Sequence, residues 1–174
     1  MKFDINKSIE ILERTPVLLR IYLQGLSEDW IRENEGPETW SPYDVLGHLI
    51  HGEKTDWIPR MKIILEHGEA KAFIPFDRFA QFEESKGKTL ELLLDEFERL
   101  RKENLDILKN SNLLQNDLEK SGLHPELGPA KLRELLATWT VHDLGHIAQI
   151  SRCMAKQYKD EVGVWTEYLG ILKK

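Results

Sequence analysis

Trp139-Thr140-Val141-His142-Asp143-Leu144-Gly145-His146-Ile147-Ala148-Gln149-Ile150 is the stretch whose reading decides the fold. Trp139, His142, His146 and Ile150 recur at three- and four-residue steps, the period of one face of an α-helix. Leu132, Leu135, Leu136, Ile147 and Met154 extend the stripe, so a helix is predicted over about residues 129 to 158. Two histidines four residues apart lie one turn apart on that face, about 6 Å along the axis, where two imidazoles can reach one ion. They also point inward. Burying two imidazoles side by side is costly without partners. Metal coordination is one compensation, and a hydrogen-bonded core pair is the other reading.

Three more helical segments precede this one. Residues 4 to 26 carry Ile5, Ile9, Leu12, Val17, Leu19, Ile21 and Leu23, interrupted by Thr15-Pro16, which predicts either one kinked helix or two consecutive ones. Ser41-Pro42-Tyr43-Asp44 reads as an N-cap, a first-turn Pro and a capping-box acid, opening a helix to Glu66 with a kink near Pro59. Residues 69 to 87 read as an irregular, aromatic-rich loop. From Thr89 to about Asn110, Leu90, Leu93, Leu94, Phe97, Leu100, Leu105 and Leu108 form a third stripe. Gly122 to Pro129 reads as a turn, and the tail from Val162, with Trp165 and Tyr168, as a short packed segment. No strand pattern competes, so the expected fold is all-α, an antiparallel four-helix bundle formed by one domain over residues 1–174.

Composition supports a globular protein. The chain has 174 residues, 41% hydrophobic and 31% charged, enough to bury a core without a structural metal. Its net charge is -6 and no window concentrates Lys and Arg, so no nucleic-acid footprint is present. No apolar run approaches the roughly 20 residues of a membrane span. The charged N-terminus does not read as a signal peptide, and Cys153 is the lone cysteine, so the expected location is the cytoplasm.

A third ligand would come from another helix. His48 and His51 both lie in the second, and the helical-wheel phase leans toward His48. Glu53 falls near the middle of the apolar arc, which makes it an acceptor behind a ligand, a proton-transfer group or a paired core carboxylate. His67 precedes a helix-ending Gly, and His124 precedes Pro125 in a turn; neither is assigned a role in the site. Cys153 stands roughly 10 Å along the helix from His146 and reads as a buried thiol. Among Trp57, Phe73, Phe76, Phe79 and Trp165, a core role competes with lining an entrance. No HExxH, carboxylate di-iron pattern, phosphate loop or nucleophile elbow occurs.

Trp40-Ser41-Pro42, Gly47-His48-Leu49-Ile50-His51-Gly52-Glu53 and Val141 to Ile150 together resemble the DinB-like family, which includes YfiT-type metal-dependent hydrolases and thiol S-transferases. The resemblance spans nearly the whole chain. It implies a DinB/YfiT-type bundle, a three-histidine site made by His48, His142 and His146, and a homodimer. His51 stands where relatives often carry an acid, and Glu53 and His51 are the candidate catalytic groups. Three neutral imidazoles leave a divalent cation its full charge, so it can act as a Lewis acid and lower the pKa of a water or thiol. Zinc or nickel suits the ligands first, iron or manganese next. The expected function is activation of water or a low-molecular-weight thiol for attack on an electrophilic small-molecule substrate. The alternatives are a non-catalytic metal- or ligand-binding bundle and a structural interaction domain.

Overall fold

The computed structural model describes residues 1–173. Its helices are α1 (Ile5–Leu23), α2 (Glu28–Arg32), α3 (Pro42–Thr55), α4 (Trp57–His67), α5 (Ala80–Glu84), α6 (Leu90–Asn110) and α7 (Leu132–Lys156). Between α6 and α7 a short hairpin pairs β1 (Ser121–His124) with β2 (Gly128–Lys131). Among the described residues no helix is long and apolar enough to cross a membrane.

The long helices α1, α3, α6 and α7 make a four-helix bundle, and residue pairs fix their directions. Arg20 meets Asp95 and Lys109 meets Glu13, so α1 and α6 run antiparallel. The Tyr43 hydroxyl donates to the Lys88 carbonyl, while Glu53 meets Arg101, so α3 and α6 run parallel. His48 faces His142 and Glu53 faces Trp139, so α3 and α7 run antiparallel. Thus α1 and α7 point one way and α3 and α6 the other. Two parallel neighbours, α3 and α6, need a connection that returns along the bundle, and residues 68 to 89 provide it.

Pro16 lies inside one continuous α1, which decides between the two readings of that segment. A proline removes the N–H that would bond the carbonyl four residues back, here Leu12. The Leu12 carbonyl instead accepts a hydrogen bond from Arg101 Nη1 at 2.9 Å. The second arm breaks at Asp56 (φ −101°, ψ −71°), three residues before Pro59. Pro59 is in the first turn of α4, where its missing N–H costs little, so the bend falls ahead of the ring.

Two expectations are corrected. The turn at Gly122 to Pro129 is a β-hairpin, whose four-residue strands contain Gly and Pro and are too short to show a period. A Cβ on Gly122 would lie 2.6 Å from Phe73 Cε1 and 2.7 Å from Ile64 Cγ1, so glycine lets the hairpin seat against α4. The irregular stretch 69 to 87 contains α5, one turn too short to leave a stripe. The tail forms 3₁₀ turns that bury Leu172 and leave Trp165 and Tyr168 exposed.

Apolar side chains gather in two clusters. One joins Leu19, Leu46, Leu93, Phe97 and Ile150; the other joins Leu12, Met61, Leu105, Leu132 and Trp139. Between them lies a buried charged layer. Arg101, 1% exposed, gives Nε to Glu53 Oε1, Nη2 to Glu53 Oε1 and Asp143 Oδ1, and Nη1 to Asp143 Oδ2 and the Leu12 carbonyl. The five N–H groups of the guanidinium are therefore all used. Glu53 also accepts from Trp139 Nε1 at 3.0 Å and from Asn104 Nδ2 at 2.9 Å. Burial opposes the charge of Arg101, but Glu53 and Asp143 outweigh it and hold its pKa above the usual arginine value.

Candidate metal centre

Two helices carry the three imidazoles, and each is held at its start. Ser41 and Asp44 form a reciprocal capping box on α3, with Pro42 in the first turn. His48 follows nearly two turns later. On α7, Glu134 accepts from the Lys131 backbone N–H at 2.9 Å. Farther along α7, Asp143 is clamped by Arg101, which fixes the rotation and height of the residue next to His142.

The three Nε2 atoms converge. His48 Nε2 and His146 Nε2 each lie 3.0 Å from His142 Nε2. Among the described residues, His48, His142 and His146 form the group of possible metal ligands. Aromatic neighbours hold the rings: Trp40 lies 4.8 Å from His48, and Trp57 stands edge-on to His142 at 5.2 Å between centroids. His146 Nδ1 pairs with Gln149 Oε1 at 2.8 Å, which puts the proton on Nδ1 and a lone pair on Nε2. His48 Nδ1 and His142 Nδ1 are buried without a partner. Three neutral rings cannot all satisfy one another through Nε2, whereas one cation accepts all three lone pairs, so the donor set fits a divalent metal.

Electrostatics keep the rings neutral. Burial first, then the charges of His146, His51 and Arg78, push His48 down to about 3. Burial, then His146, His48 and Arg101, push His142 down to about 2. Burial also lowers His146, opposed by the Gln149 hydrogen bond and by Asp143. Neutral imidazoles are the form a metal needs.

A pH prediction follows for the metal-free chain. An unfolded histidine protonates near pH 6.5, whereas His48 and His142 resist protonation until about 3 and 2 in the fold. Between those values the unfolded state binds more protons, so stability falls as pH drops from about 6.5. The slope approaches about 1.4 kcal/mol per pH unit for each ring that stays neutral. Urea unfolding in chelator at pH 7, 6, 5 and 4 checks this, against His142→Gln, which should flatten the curve.

The rings open on a cavity of about 540 Å³, whose wall includes Trp40, Trp57, Phe73 and Phe76. Of the aromatics singled out in the sequence, Trp57, Phe73 and Phe76 line it, and Phe79 and Trp165 do not. Phe76 stands edge-on to His48 at 5.2 Å and 4.9 Å from His51. His51 is buried but turned to α5, with Nδ1 2.8 Å from Glu84 Oε1. Glu53 sits in the charged layer with both oxygens engaged. His67 is exposed at the end of α4, and Cys153 is buried, its thiol donating to the Glu33 carbonyl and pushed up to about 11 by burial.

Sequence reasoning missed other residues of the cavity. Asp56 and Arg60, an ion pair at 2.7 Å, line it, as do Arg78 and His124. Burial raises Asp56 to about 6, opposed by Arg60 and His51. Neither residue of the pair lies in a motif, and the bend at Asp56 hides their common face.

Fold and site together define a helical-bundle protein with three imidazoles gathered at a cavity. The chain belongs to the DinB superfamily, whose model matches residues 11–150. It is similar in structure to YfiT from Bacillus subtilis, described as a probable metal-dependent hydrolase with an unusual four-helix bundle topology. The TM-score is 0.75 and the identity 22%, over 94% of this chain and 90% of that one. No curated protein sequence matches this chain significantly.

Proposed function

We propose that this protein is a divalent-metal-dependent enzyme that activates water or a small thiol for attack on an electrophilic small molecule. The observation that carries this reading is the convergence of His48, His142 and His146 through Nε2 atoms 3.0 Å apart at the wall of a cavity. The likeness to YfiT supports it. When bound, the cation supplies Lewis acidity that lowers the pKa of a water or thiol. Zinc or nickel is the ion first suited to three imidazoles, with iron or manganese able to use the same ligands.

The chain's own residues do the rest. His48, His142 and His146 hold the cation with neutral rings. His51, paired with Glu84 and set behind the Phe76 ring of the cavity wall at 4.9 Å, is assigned proton transfer. Glu53 acts as a positioning residue, through Trp139 and Arg101, rather than by touching substrate. Trp40, Trp57 and Phe76 exclude water and receive the apolar part of the substrate. Among the described residues only three side chains form a ligand group, which favours an open coordination shell over a closed, non-catalytic one.

We also assign the protein to the cytoplasm and to a homodimer. The exposed apolar side chains Val17, Leu18 and Ile21 on α1 line one shallow groove with Ile147 on α7, a surface that supports self-association.

The test is elemental analysis of protein expressed with added zinc or nickel, followed by paired assays of ester hydrolysis and thiol consumption with an electrophilic acceptor. About one ion per chain and turnover abolished by chelator are expected. Metal-free protein with unchanged turnover would refute the metal-dependent mechanism, and metal-loaded protein without turnover in either assay would refute the enzyme reading. Light scattering on the same sample should give the mass of two chains; a monomer mass refutes the dimer.

A further inference from the structure

The fold buries two arginines, and they are used in opposite ways. Arg101 has every N–H engaged within the protein. Arg60, 9% exposed, makes a single contact to an acid, Nη2 to Asp56 Oδ1 at 2.7 Å, and its Nε is buried with no partner. Its guanidinium carbon lies 5.4 Å from the centre of the Phe73 ring, which backs one side. Phe73, Asp56 and Arg60 all line the cavity onto which the three imidazoles open. Arg60 stands three residues past Trp57 on α4, less than one helical turn from the ring that touches His142.

A buried donor left without a partner is costly, so native folds rarely keep one without a use. A guanidinium edge offers parallel N–H groups that match a planar oxyanion. Asp56 already holds one side of this arginine, and a doubly charged group would be repelled by it. A singly charged carboxylate fits better, and it would meet the Nη groups, since Nε itself is closed off from the cavity. Two further donors or cations face the same space. His124 Nδ1 accepts from the backbone of Glu126 and Leu127, so its proton is on Nε2, and Arg78 stands at the wall. Phe73, Phe76 and Trp57 supply an apolar surface between this end and the histidines.

We propose that Arg60 is the carboxylate-binding residue of the cavity, and that the substrate is a small monocarboxylate with an apolar body, anchored at Arg60 with its reacting end toward His48, His142 and His146. The substrate statement rests on the enzyme reading above; the binding statement does not need the metal.

The experiment separates the two. Phenylacetate and its uncharged analogue phenylacetamide are titrated into the full chain by NMR, in chelator and again with zinc, at equal ionic strength. In chelator, wild type should bind the acid at least about tenfold more tightly than the amide, the scale of one charge-assisted hydrogen bond. Arg60→Gln should remove that preference, and Arg60→Lys should keep part of it. Because Arg60→Gln leaves Asp56 buried and alone, Asp56→Asn/Arg60→Gln is measured beside it, with circular dichroism to establish folding. Equal affinities for acid and amide in wild type, or a preference that survives both glutamine variants, overturns the proposal. A chain that shows the preference but takes up no metal keeps the carboxylate site and loses the enzyme reading. A metal-binding chain without the preference does the reverse.

Discussion

Arg101→Met is expected to lower the free energy of unfolding by about 3–5 kcal/mol, the cost of leaving buried charges uncompensated. Three losses combine. Glu53 and Asp143, both almost wholly buried, lose their shared cation. The Leu12 carbonyl, which Pro16 deprives of its helical donor, loses Arg101 Nη1 as well. The flexible thioether fills most of the volume but supplies no donor. Against a typical stability of about 5–15 kcal/mol, such a loss is a large share of the whole. Urea denaturation monitored by tryptophan fluorescence measures it. The triple variant Glu53→Gln/Arg101→Met/Asp143→Asn should recover part of the loss, because the isolated carboxylates are gone. A single-variant loss below about 1 kcal/mol, the scale of a surface ion pair, would mean that the layer contributes little.

His142→Ala is expected to do the opposite, sparing the fold and emptying the site. His142 is the apex of the cluster, with Nε2 at 3.0 Å from both other rings. Its removal leaves two ligands on different helices. Loss of a mere supporting hydrogen bond costs about 10- to 100-fold in metal affinity, so losing a ligand should exceed about 100-fold. Metal content after gel filtration should fall from about one ion per chain to near none, and turnover with it. Stability in chelator should change by no more than about 1–2 kcal/mol, since the ring makes no hydrogen bond outside the cluster. Undiminished metal content or turnover would remove the three-imidazole site from the mechanism. His67→Ala, at the exposed end of α4, is the control and should change neither.

The bundle was legible because its long helices carry clean stripes, and stripes survive in a single sequence. The capping box at Ser41 and Asp44 could be read for the same reason: it is local chemistry at fixed spacing. The His142 and His146 pair was readable as two residues on one face. Its meeting with His48 came from the family resemblance and not from periodicity, which leans toward His48 but cannot say which residues of two helices share a level. The charged layer did leave a trace. Arg101 and Asn104 occupy the positions that continue the Phe97 face of α6, and Asp143 follows Trp139 by four residues, so each interrupts an apolar arc with a polar group. A polar residue at a core position is a signal for a buried partner. The cavity's Asp56 and Arg60 had no such trace, because the break at Asp56 resets the helical phase. The hairpin was hidden by its brevity, and α5 by being a single turn.

Asp143 and His142 are sequence neighbours, so a rotation of α7 that swings the imidazole outward also drags a carboxylate off Arg101. The ligand geometry is thereby tied to an electrical cost rather than to shape alone. A slip of one helix past another costs lost packing in any bundle; here it would also separate opposite charges in a medium that screens them poorly. Under the proposed function, the pincer would be shaped before any ion arrives, and metal uptake would not need to recruit its jaws.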